Sequence, residues 1–448
     1  DTAQTVDLDI TGVAHGGIFV ARHEGRVVFV PDAIPGERVR ARITDDSRPA
    51  FWRAEALEVL DASESRRPHV WAEADVARPP HERPGGADFG HIALDAQREL
   101  KARVLREAFE RFAHLSIDVA VEPAGDDESG DGTGWRTRLG LHVGPDGLVG
   151  PYAARSHHIV PVSSYPLAAP ALAEAALNLG ARGGDRVDLV LPADGQVRVI
   201  ERTDASGPRR GRRDTQAGSR GGTGQNTAGA EREVVVEEVR GRSFRVDAGG
   251  FWQVHRLAAT SLADAVAKAL ASVGFDPEAA NLDLYGGVGL FAAVMGGIGG
   301  PSTRVATVES APRATHHAAR NLREWGGAAA ITARVDRFLA AEVAAVSEAS
   351  DSRAHAYRGA TVLLDPPRAG AGADVVRSIA TLAPRTAIYV ACDPVALARD
   401  TATFTDAGYE LRELRALDLF PHSHHVEAVA VFERDAHRAA AGSAGPRR

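Results

Sequence analysis

From Phe251 onward the sequence alternates between short apolar runs and stretches with helical periodicity, and this alternation restricts the possible folds more than any other feature. An apolar run that is followed by a helical stretch is typical of a parallel β-strand with a helical crossover. Residues 251–435 are therefore predicted to form a doubly wound α/β domain with a terminal antiparallel hairpin. The predicted strands are Asn281–Tyr285, Val305–Val308, Ala330–Ala333, Thr361–Leu364 and Ala387–Ala391, and then stretches near Glu410–Leu417 and Val426–Glu433.

The predicted strand Ala387–Ala391 leads into Cys392, which is the single cysteine of the 448 residues. Pro394 follows at a position where a helix can begin. A thiol between a strand end and a helix N-terminus lies where a thiolate is stabilised and where α/β sheets bind ligands. A free cysteine is also often a small buried hydrophobe, so this stretch alone leaves both interpretations open. One cysteine excludes an internal disulfide and a site made of cysteines only.

A glycine-rich turn, Tyr285-Gly286-Gly287-Val288-Gly289, connects the first predicted strand of this domain to a helix. Glycines allow the backbone to approach a ligand closely, and Glu309 ends the next strand, where an acid can bind ribose hydroxyls. The turn lacks the Gly-x-Gly-x-x-Gly pattern and the lysine of a phosphate-binding loop. S-adenosylmethionine therefore fits this turn better than NAD or ATP.

Two more carboxylates lie at predicted strand ends. Asp365, in Asp365-Pro366-Pro367-Arg368, ends a strand at the expected cleft. Glu427 borders an apolar strand, where partial burial raises the pKa of a carboxyl towards that of a useful base. The histidines that precede Glu427 have no spacing that defines a metal site, so no metal is predicted.

The N-terminal residues have a different pattern. Short alternating strands in residues 1–62 predict a β-barrel of the oligonucleotide-binding type. Residues 63–250 are predicted to form a central α+β domain, with helices at Leu94–Phe112 and Pro170–Leu179 and strands within Trp135–Val149 and Val187–Val199. Residues 204–230, rich in Gly and Arg, are predicted to be a disordered loop, and 436–448 a disordered tail.

Composition adds few restrictions. The formal net charge is -8, which does not by itself indicate nucleic-acid binding, although a local basic face can bind phosphate. No apolar stretch is long enough to span a membrane, and the first residues lack the features of a signal peptide. The chain lacks an initiator Met, so the numbering can begin inside the natural chain. The simplest interpretation is a cytoplasmic monomer without membrane contact.

Taken in order, these motifs resemble those of the RNA uracil-C5 methyltransferase family. The stretch from Ala391 to Asp400 resembles the family signature Ser-Cys-Asn-Pro-Ala-Thr-Leu-Ala-Arg-Asp. The N-terminal barrel resembles the TRAM domain that many members carry, and the resemblance extends from Val6 to about Arg434. The other matching motifs are Phe251-Trp252-Gln253-Val254, the glycine turn, Glu309, Asp365-Pro366-Pro367-Arg368, and Phe420-Pro421-His422 through His425-Val426-Glu427.

The resemblance implies a Rossmann-like methyltransferase that transfers a methyl group from S-adenosylmethionine to carbon 5 of a uridine in RNA. It implies that Cys392 is the nucleophile and Glu427 the base. Because the transfer-RNA branch usually lacks the barrel, ribosomal RNA is the expected substrate rather than tRNA. The residues that the resemblance assigns to S-adenosylmethionine are Gln253, Tyr285, Glu309, Asp336 and Asp365.

Several positions depart from the family pattern. Many members bind an iron–sulfur cluster through four cysteines, but Pro84-Gly85-Gly86-Ala87 stands in place of their Cys-Gly-Gly-Cys, so no iron–sulfur cluster is predicted. Packing around Phe89 and Ile92 is expected to hold this segment instead. Asp393 stands where Asn is usual, and His255 where Asn is common. Two alternatives therefore stay open: an RNA-binding protein without catalysis, and a methyltransferase that acts on another nucleoside or on tRNA.

Overall fold

The computed structural model describes residues 4–125, 130–203, 227–348 and 356–435. The N-terminal strands close into a barrel in the order β1-β2-β3-β5-β4, as their alternating pattern predicted. Val6, Leu8 and Ile10 point into the barrel while the residues between them are exposed, because successive side chains of a strand point to opposite faces. The strands are β1 (Thr5–Ala14), β2 (Ile18–His23), β3 (Arg26–Val30), β4 (Arg38–Asp45) and β5 (Phe51–Asp61).

The segment that follows the barrel packs back onto it. Phe89 and Ile92 are buried with the barrel core, and the Phe89 ring centroid lies 5.7 Å from that of Phe19. Burying side chains of this size stabilises the fold by about 1.5–3 kcal/mol each. Arg83 adds an ion pair to Asp32 at 2.8 Å. The packing expected around Phe89 and Ile92 is therefore present.

Helix α1 (Leu94–Ala108) and strand β6 (Val121–Pro123) come next in the chain but pack with the C-terminal sheet. The predicted helix Leu94–Phe112 ends earlier as an α-helix, because a π-helical turn occupies Phe109–Ala113. β6 runs parallel to a C-terminal strand. Ala102, Leu105 and Ala108 of α1 and Val121 of β6 lie in the C-terminal core, whereas Leu100 of α1 packs with the barrel.

The rest of the central segment forms a four-stranded antiparallel sheet in the order β10-β9-β7-β8. Helix α2 (Pro170–Leu177) buries Leu172 and Ala176 in one cluster with Val187 and Leu189 of this sheet. The strands are β7 (Arg138–Val143), β8 (Val149–Gly150), β9 (Arg186–Val190) and β10 (Arg198–Arg202), which are shorter than the predicted stretches.

A β-hairpin that the sequence analysis did not predict precedes the C-terminal domain. It consists of β11 (Val234–Val239) and β12 (Arg242–Asp247), and a short helix, α3 (Thr227–Glu231), lies before it. This helix contradicts the predicted disorder at residues 227–230. Residues 204–226 of the predicted loop and the predicted tail at 436–448 lie outside the described residues.

The C-terminal domain is built on an eight-stranded sheet in the order β15-β14-β13-β16-β17-β19-β18-β6, which confirms the doubly wound architecture and the terminal antiparallel hairpin. The first five strands in this order are parallel, whereas β19 is antiparallel to β17 and to β18. The strands are β13 (Asn281–Leu284), β14 (Val305–Glu309), β15 (Ala328–Thr332), β16 (Thr361–Leu364), β17 (Thr386–Ala391), β18 (Tyr409–Asp418) and β19 (Glu427–Arg434).

Helices cover both faces of this sheet. Val362 and Leu364 pack with α1, α7, α8 and α9, whereas Leu363 between them packs on the opposite face with α4 and α5. Strand β16 is therefore buried on both faces of the sheet, which explains why its residues form a continuous apolar run. The helices are α4 (Ala258–Ser272), α5 (Leu290–Gly299), α6 (Pro312–Asn321), α7 (Val335–Glu348), α8 (Ala373–Leu382) and α9 (Pro394–Asp406).

The strand order reverses between β13 and β16, since β14 and β15 lie on one side of β13 and the later strands on the other. Crossovers leave the sheet in opposite directions at such a point, and a crevice opens beyond the carboxyl ends of the strands. None of the described helices is long and apolar enough to cross a membrane.

Candidate active site

A cleft of about 1320 Å³ lies at the carboxyl ends of the parallel strands. The ends of β13, β14, β16 and β17 contribute side chains, and the antiparallel strand β19 begins at the same edge. All seven site residues predicted from the sequence line this cleft: Gln253, Tyr285, Glu309, Asp336, Asp365, Cys392 and Glu427.

Strand pairing positions Cys392 opposite Glu427. The last antiparallel pair of β17 and β19 joins Ala391 to Ala428. One step further along the ladder, Cys392 follows Ala391 and Glu427 precedes Ala428. Directly opposed residues in such a ladder have Cα atoms about 4.5–5.5 Å apart. The thiol and the carboxyl group are therefore neighbours because of the sheet register, although α9, β18 and a loop separate them in sequence.

The thiol of Cys392 is partly buried and faces several carboxylates. Burial and the nearby charges of Glu427, Asp365 and Asp393 raise its pKa to about 12, and the Arg368 guanidinium opposes this rise. The sequence left open whether Cys392 is a reactive thiol or a small buried hydrophobe, and the raised pKa does not favour a thiolate in the protein alone. Burial is the largest cause of this rise and the surrounding carboxylates add to it, so the neutral thiol is favoured.

Asp393, the residue that departs from the family pattern, joins two parts of the molecule. Its Oδ1 accepts a hydrogen bond from the Ala396 backbone N–H at 2.8 Å and so caps α9. Its Oδ2 lies 3.2 Å from His15 Nε2 in the β1–β2 turn of the barrel. A hydrogen bond to Asp393 raises the pKa of His15. The barrel therefore contacts the residue next to the candidate nucleophile.

Asp393→Asn is expected to make Cys392 react several-fold faster with iodoacetamide at a fixed pH. Asparagine retains the helix cap but removes a charge that raises the pKa of the thiol, so more thiolate is present. The alkylation rate, followed by mass spectrometry from pH 7 to 10, reports on Cys392 alone because the chain has no other cysteine. Asp406→Asn, at the other end of α9, is the matched control, and equal rates in the two variants would contradict the expectation.

Two buried carboxyl groups face the thiol. Burial and the charge of Asp365 raise the pKa of Glu427 well above its usual value, in the direction predicted from the sequence. Burial and the charge of Asp283 raise the pKa of Asp365 to about 7. Arg368 opposes the rise at Glu427 and also lines the cleft. A carboxyl group with a raised pKa can accept and release a proton near neutral pH.

The glycine turn brings backbone close to Glu309. Tyr285 has a φ of 62°, and a Cβ at Gly286 would lie 1.9 Å from Thr307 Oγ1, so this position requires glycine. The Gly287 N–H donates to Glu309 Oε2 at 3.3 Å, and the Ala311 N–H donates to Oε1 at 2.7 Å. Glu309 is therefore held in one orientation at the floor of the cleft.

The lining of the cleft suits a cationic ligand. Asp336 is half-exposed at its rim and pairs with Arg334 at 2.9 Å. Among the described residues the Asp365 carboxyl group has no side-chain hydrogen-bond partner, and it is left for a ligand. S-adenosylmethionine carries a sulfonium and an ammonium group, and the carboxylates of Glu309 and Asp336 offer them negative charge in a lining that also contains arginines.

The structure adds residues that the sequence analysis gave no role. Arg136 lines the cleft, and its guanidinium lies over the Trp135 ring. Its Nε has no hydrogen-bond partner among the described residues. Phe251 is 75% exposed at the same cleft, and only its place in a motif pointed to it. His15, Arg368 and Cys392 also line a smaller pocket of about 110 Å³ between the barrel and α1. Only tertiary contacts identify Arg136 and His15.

Within the described ranges no group of three or more histidine, cysteine, aspartate or glutamate side chains is arranged to hold a metal ion. The histidines before Glu427 have other partners. His424 Nδ1 lies 2.8 Å from Asp88 Oδ2, and His422 Nε2 lies 2.6 Å from the Asp131 carbonyl oxygen. These side chains tie the loop between β18 and β19 to the central segment.

Comparison with known families agrees with this geometry. Residues 2–57 match the TRAM domain, and residues 304–435 match the family described as tRNA (Uracil-5-)-methyltransferase. The chain is similar over nearly its whole length to the crystal structure of Pyrococcus abyssi tRNA (uracil-54, C5)-methyltransferase in complex with S-adenosyl-L-homocysteine. That similarity has a TM-score of 0.64 and 21% identity, and it covers 95% of this chain and 100% of that one, so it supports the fold.

Two curated relatives show the family. An uncharacterized RNA methyltransferase of Streptomyces avermitilis is 38% identical over 95% of this chain and 98% of its own length. The 23S rRNA (uracil(1939)-C(5))-methyltransferase RlmD of Chromohalobacter salexigens is 30% identical over 98% of this chain and 91% of its own length. This chain therefore belongs to the family of S-adenosylmethionine-dependent RNA (uracil-C5) methyltransferases that carry an N-terminal TRAM domain.

Proposed function

We propose that this enzyme methylates carbon 5 of a uridine in ribosomal RNA, with Cys392 as nucleophile and Glu427 as base. The observation that carries the proposal is that these two residues both line the cleft, next to the last paired positions of β17 and β19. The ribosomal substrate is supported by the TRAM domain and by relatives that are named 23S rRNA methyltransferases. Such a substrate agrees with the cytoplasmic location expected from the sequence.

Carbon 5 of uracil is a weak nucleophile, and the proposed role of Cys392 is to activate it. Its Sγ bonds to carbon 6, and the ring electrons move towards the oxygen on carbon 4, so that carbon 5 can attack an electrophile. Because burial and the nearby carboxylates raise the pKa of Cys392 to about 12, the thiol must first pass its proton to solvent water, from which the thiolate regains one after release. Positive charge favours that loss, and Arg368 supplies it beside the thiol.

The proposed role of Glu427 is to remove the proton from carbon 5 after methyl transfer. The double bond between carbons 5 and 6 then forms again, the bond to Sγ breaks, and Cys392 leaves as a thiolate. The raised pKa of Glu427 suits a group that must accept a proton and later release it. Its position on the rigid strand β19 fixes the distance to Cys392.

Five residues of the cleft are proposed to bind S-adenosylmethionine, which supplies the electrophilic methyl group. Tyr285 presents a ring beside the glycine turn for the adenine, and Glu309 is oriented for the ribose hydroxyls. Asp365 and Asp336 offer carboxylates to the positively charged end, and Gln253 offers an amide from the opposite wall of the cleft.

The target base must leave its stack to reach Cys392. Phe251, which is exposed at the cleft, offers an apolar ring on which a splayed base can stack. We propose that the barrel and the central segment hold the surrounding RNA. Contact between His15 of the barrel turn and Asp393 supports this, since RNA on the barrel then lies next to the thiol.

Transfer RNA is the second candidate substrate, because residues 304–435 match a family described by a tRNA activity. The test uses methyl-labelled S-adenosylmethionine with unmodified ribosomal RNA and unmodified tRNA, each digested to nucleosides. We expect label in 5-methyluridine from ribosomal RNA. Label in 5-methyluridine from tRNA alone would replace the first substrate by the second, and label in another nucleoside would contradict the proposed reaction.

A further inference from the structure

A second cleft, of about 850 Å³, lies between the β11–β12 hairpin and the C-terminal part of α6. Its lining includes five arginines and one acidic residue, Glu324, in a chain whose net charge is -8. The arginine cleft is defined here by Arg240, Arg242, Arg245, Arg320 and Arg323.

Two of these arginines are neutralised within the protein, and three are not. Arg242 pairs with Glu324 and lies over the Trp325 ring, with its Cζ 4.4 Å from the ring centroid, while Arg240 pairs with Asp264. The other three, which are exposed, form no ion pair in the parts of the chain that the structure describes: Arg245, Arg320 and Arg323. Unneutralised guanidinium groups on facing walls are suited to bidentate bonds with phosphate oxygens.

The walls of the arginine cleft are held at a fixed separation. Asn321 accepts a hydrogen bond from the Arg245 backbone N–H at 3.0 Å and donates to the Arg245 carbonyl oxygen at 3.2 Å. It also donates to the Val288 carbonyl oxygen at 2.9 Å. One side chain of α6 thereby fastens the hairpin to the C-terminal domain, so the arginines need little reorganisation to bind a ligand.

The hairpin turn places an arginine where the backbone disfavours one. Arg240 and Gly241 are the two residues between β11 and β12, with φ values of 51° and 75°. Such turns favour Asn and Gly at both positions, because other side chains are strained there. A strained non-glycine residue at the rim of a charged cleft is an observation from which a binding role can be inferred.

The arginine cleft lies next to the catalytic cleft, and residues of β12 and α6 line both. Asp247 of β12 and His317 of α6 line the catalytic cleft, and their side chains are joined at 2.7 Å. Arg320 follows His317 by about one helical turn, or roughly 5 Å along the axis. Arg245 precedes Asp247 by two residues on the same strand, so the arginine cleft opens beside the wall of the catalytic cleft that β12 and α6 form.

We infer that the arginine cleft binds the phosphate backbone of the substrate RNA next to the target uridine. The inference rests on RNA as the substrate of the proposed function, and it holds for ribosomal and transfer RNA alike. Phosphate contacts position an RNA without reading its sequence, so the arginine cleft sets the register in which the base enters the catalytic cleft.

The test compares two double variants that remove the same charge. Arg320→Gln with Arg323→Gln removes two positive charges from one wall of the arginine cleft. Arg358→Gln with Arg385→Gln removes two exposed arginines just before β16 and β17, at the sheet edge opposite the catalytic cleft. RNA dissociation constants are measured between 50 and 300 mM salt on a labelled RNA that the parent enzyme methylates, and S-adenosylmethionine binding is measured by calorimetry.

We expect the Arg320/Arg323 variant to bind RNA about tenfold more weakly, with the magnitude of the salt slope reduced by roughly 1.4, since each single-strand phosphate contact contributes about 0.7. Its S-adenosylmethionine binding should equal that of the parent, which excludes misfolding. RNA binding equal to that of the control variant would overturn the inference and favour an acidic protein surface as the occupant. A parent enzyme that neither binds nor methylates RNA would instead contradict the proposed function.

Discussion

Cys392→Ala is expected to lower the rate of methyl transfer by roughly 10⁴-fold or more, because no other group in the cleft can form the bond to carbon 6. The rate is measured as label transferred from methyl-labelled S-adenosylmethionine to RNA. Cys392→Ser is the matched control for packing, since its hydroxyl has nearly the same shape but is a far weaker nucleophile. Both variants should bind RNA and S-adenosylmethionine as the parent does.

Activity that survives in Cys392→Ser would contradict the covalent mechanism. It would favour transfer to an amino group, for which Asp365-Pro366-Pro367 is also suited and which needs no thiol. RNA binding without turnover in the parent itself, unchanged by Cys392→Ala, would identify an RNA-binding protein that has lost catalysis. Nucleoside analysis of the labelled product separates these two results.

Glu427→Gln is expected to lower turnover by about 10²–10⁴-fold while a covalent RNA–protein adduct accumulates. The amide cannot accept the proton on carbon 5, so elimination stops after the bond between Cys392 and carbon 6 has formed. Burial and Asp365 hold the pKa of Glu427 high, so a neutral isostere should leave the fold intact. The adduct is detected as labelled RNA that migrates with the protein in a denaturing gel.

Glu433→Gln makes the same chemical change at the other end of β19 and should turn over normally without an adduct. The double variant Cys392→Ala with Glu427→Gln should form none, since the thiol is the point of attachment. An adduct that fails to appear in Glu427→Gln, together with lost activity, would mean that Glu427 acts before the bond to carbon 6 forms.

Much of the fold follows from local patterns. The apolar run at Thr361–Leu364 is confirmed as a strand buried on both faces, and the alternation in Val6, Leu8 and Ile10 as a barrel strand. These predictions succeed because one strand's periodicity records which of its faces are buried. The β11–β12 hairpin was missed, since its place against α6 depends on contacts such as Asn321 to Arg245, which no local pattern contains.

The residues of the candidate site could be predicted from the sequence, but the pKa values of their side chains could not. Motifs at strand ends identified residues that share a cleft, because the carboxyl ends of parallel strands meet at one edge. The sequence left the state of Cys392 open, since the pKa of a thiol depends on its burial and on every charge around it. Asp365 and Glu427 approach Cys392 only through the strand order, and together with burial they raise the pKa of its thiol.

The amino-acid sequence by itself determined the alternation of strands and helices in residues 251–435, the glycine turn, and the residues that stand where parallel strands end. Those properties depend on side chains close together in the chain. Tertiary structure alone decided that His15 of the barrel touches Asp393, that Glu427 faces Cys392, and that Arg245 and Arg320 share one cleft. Each of these pairs comes from separate elements, and only strand register and packing fix their separation and hence their charge and chemistry.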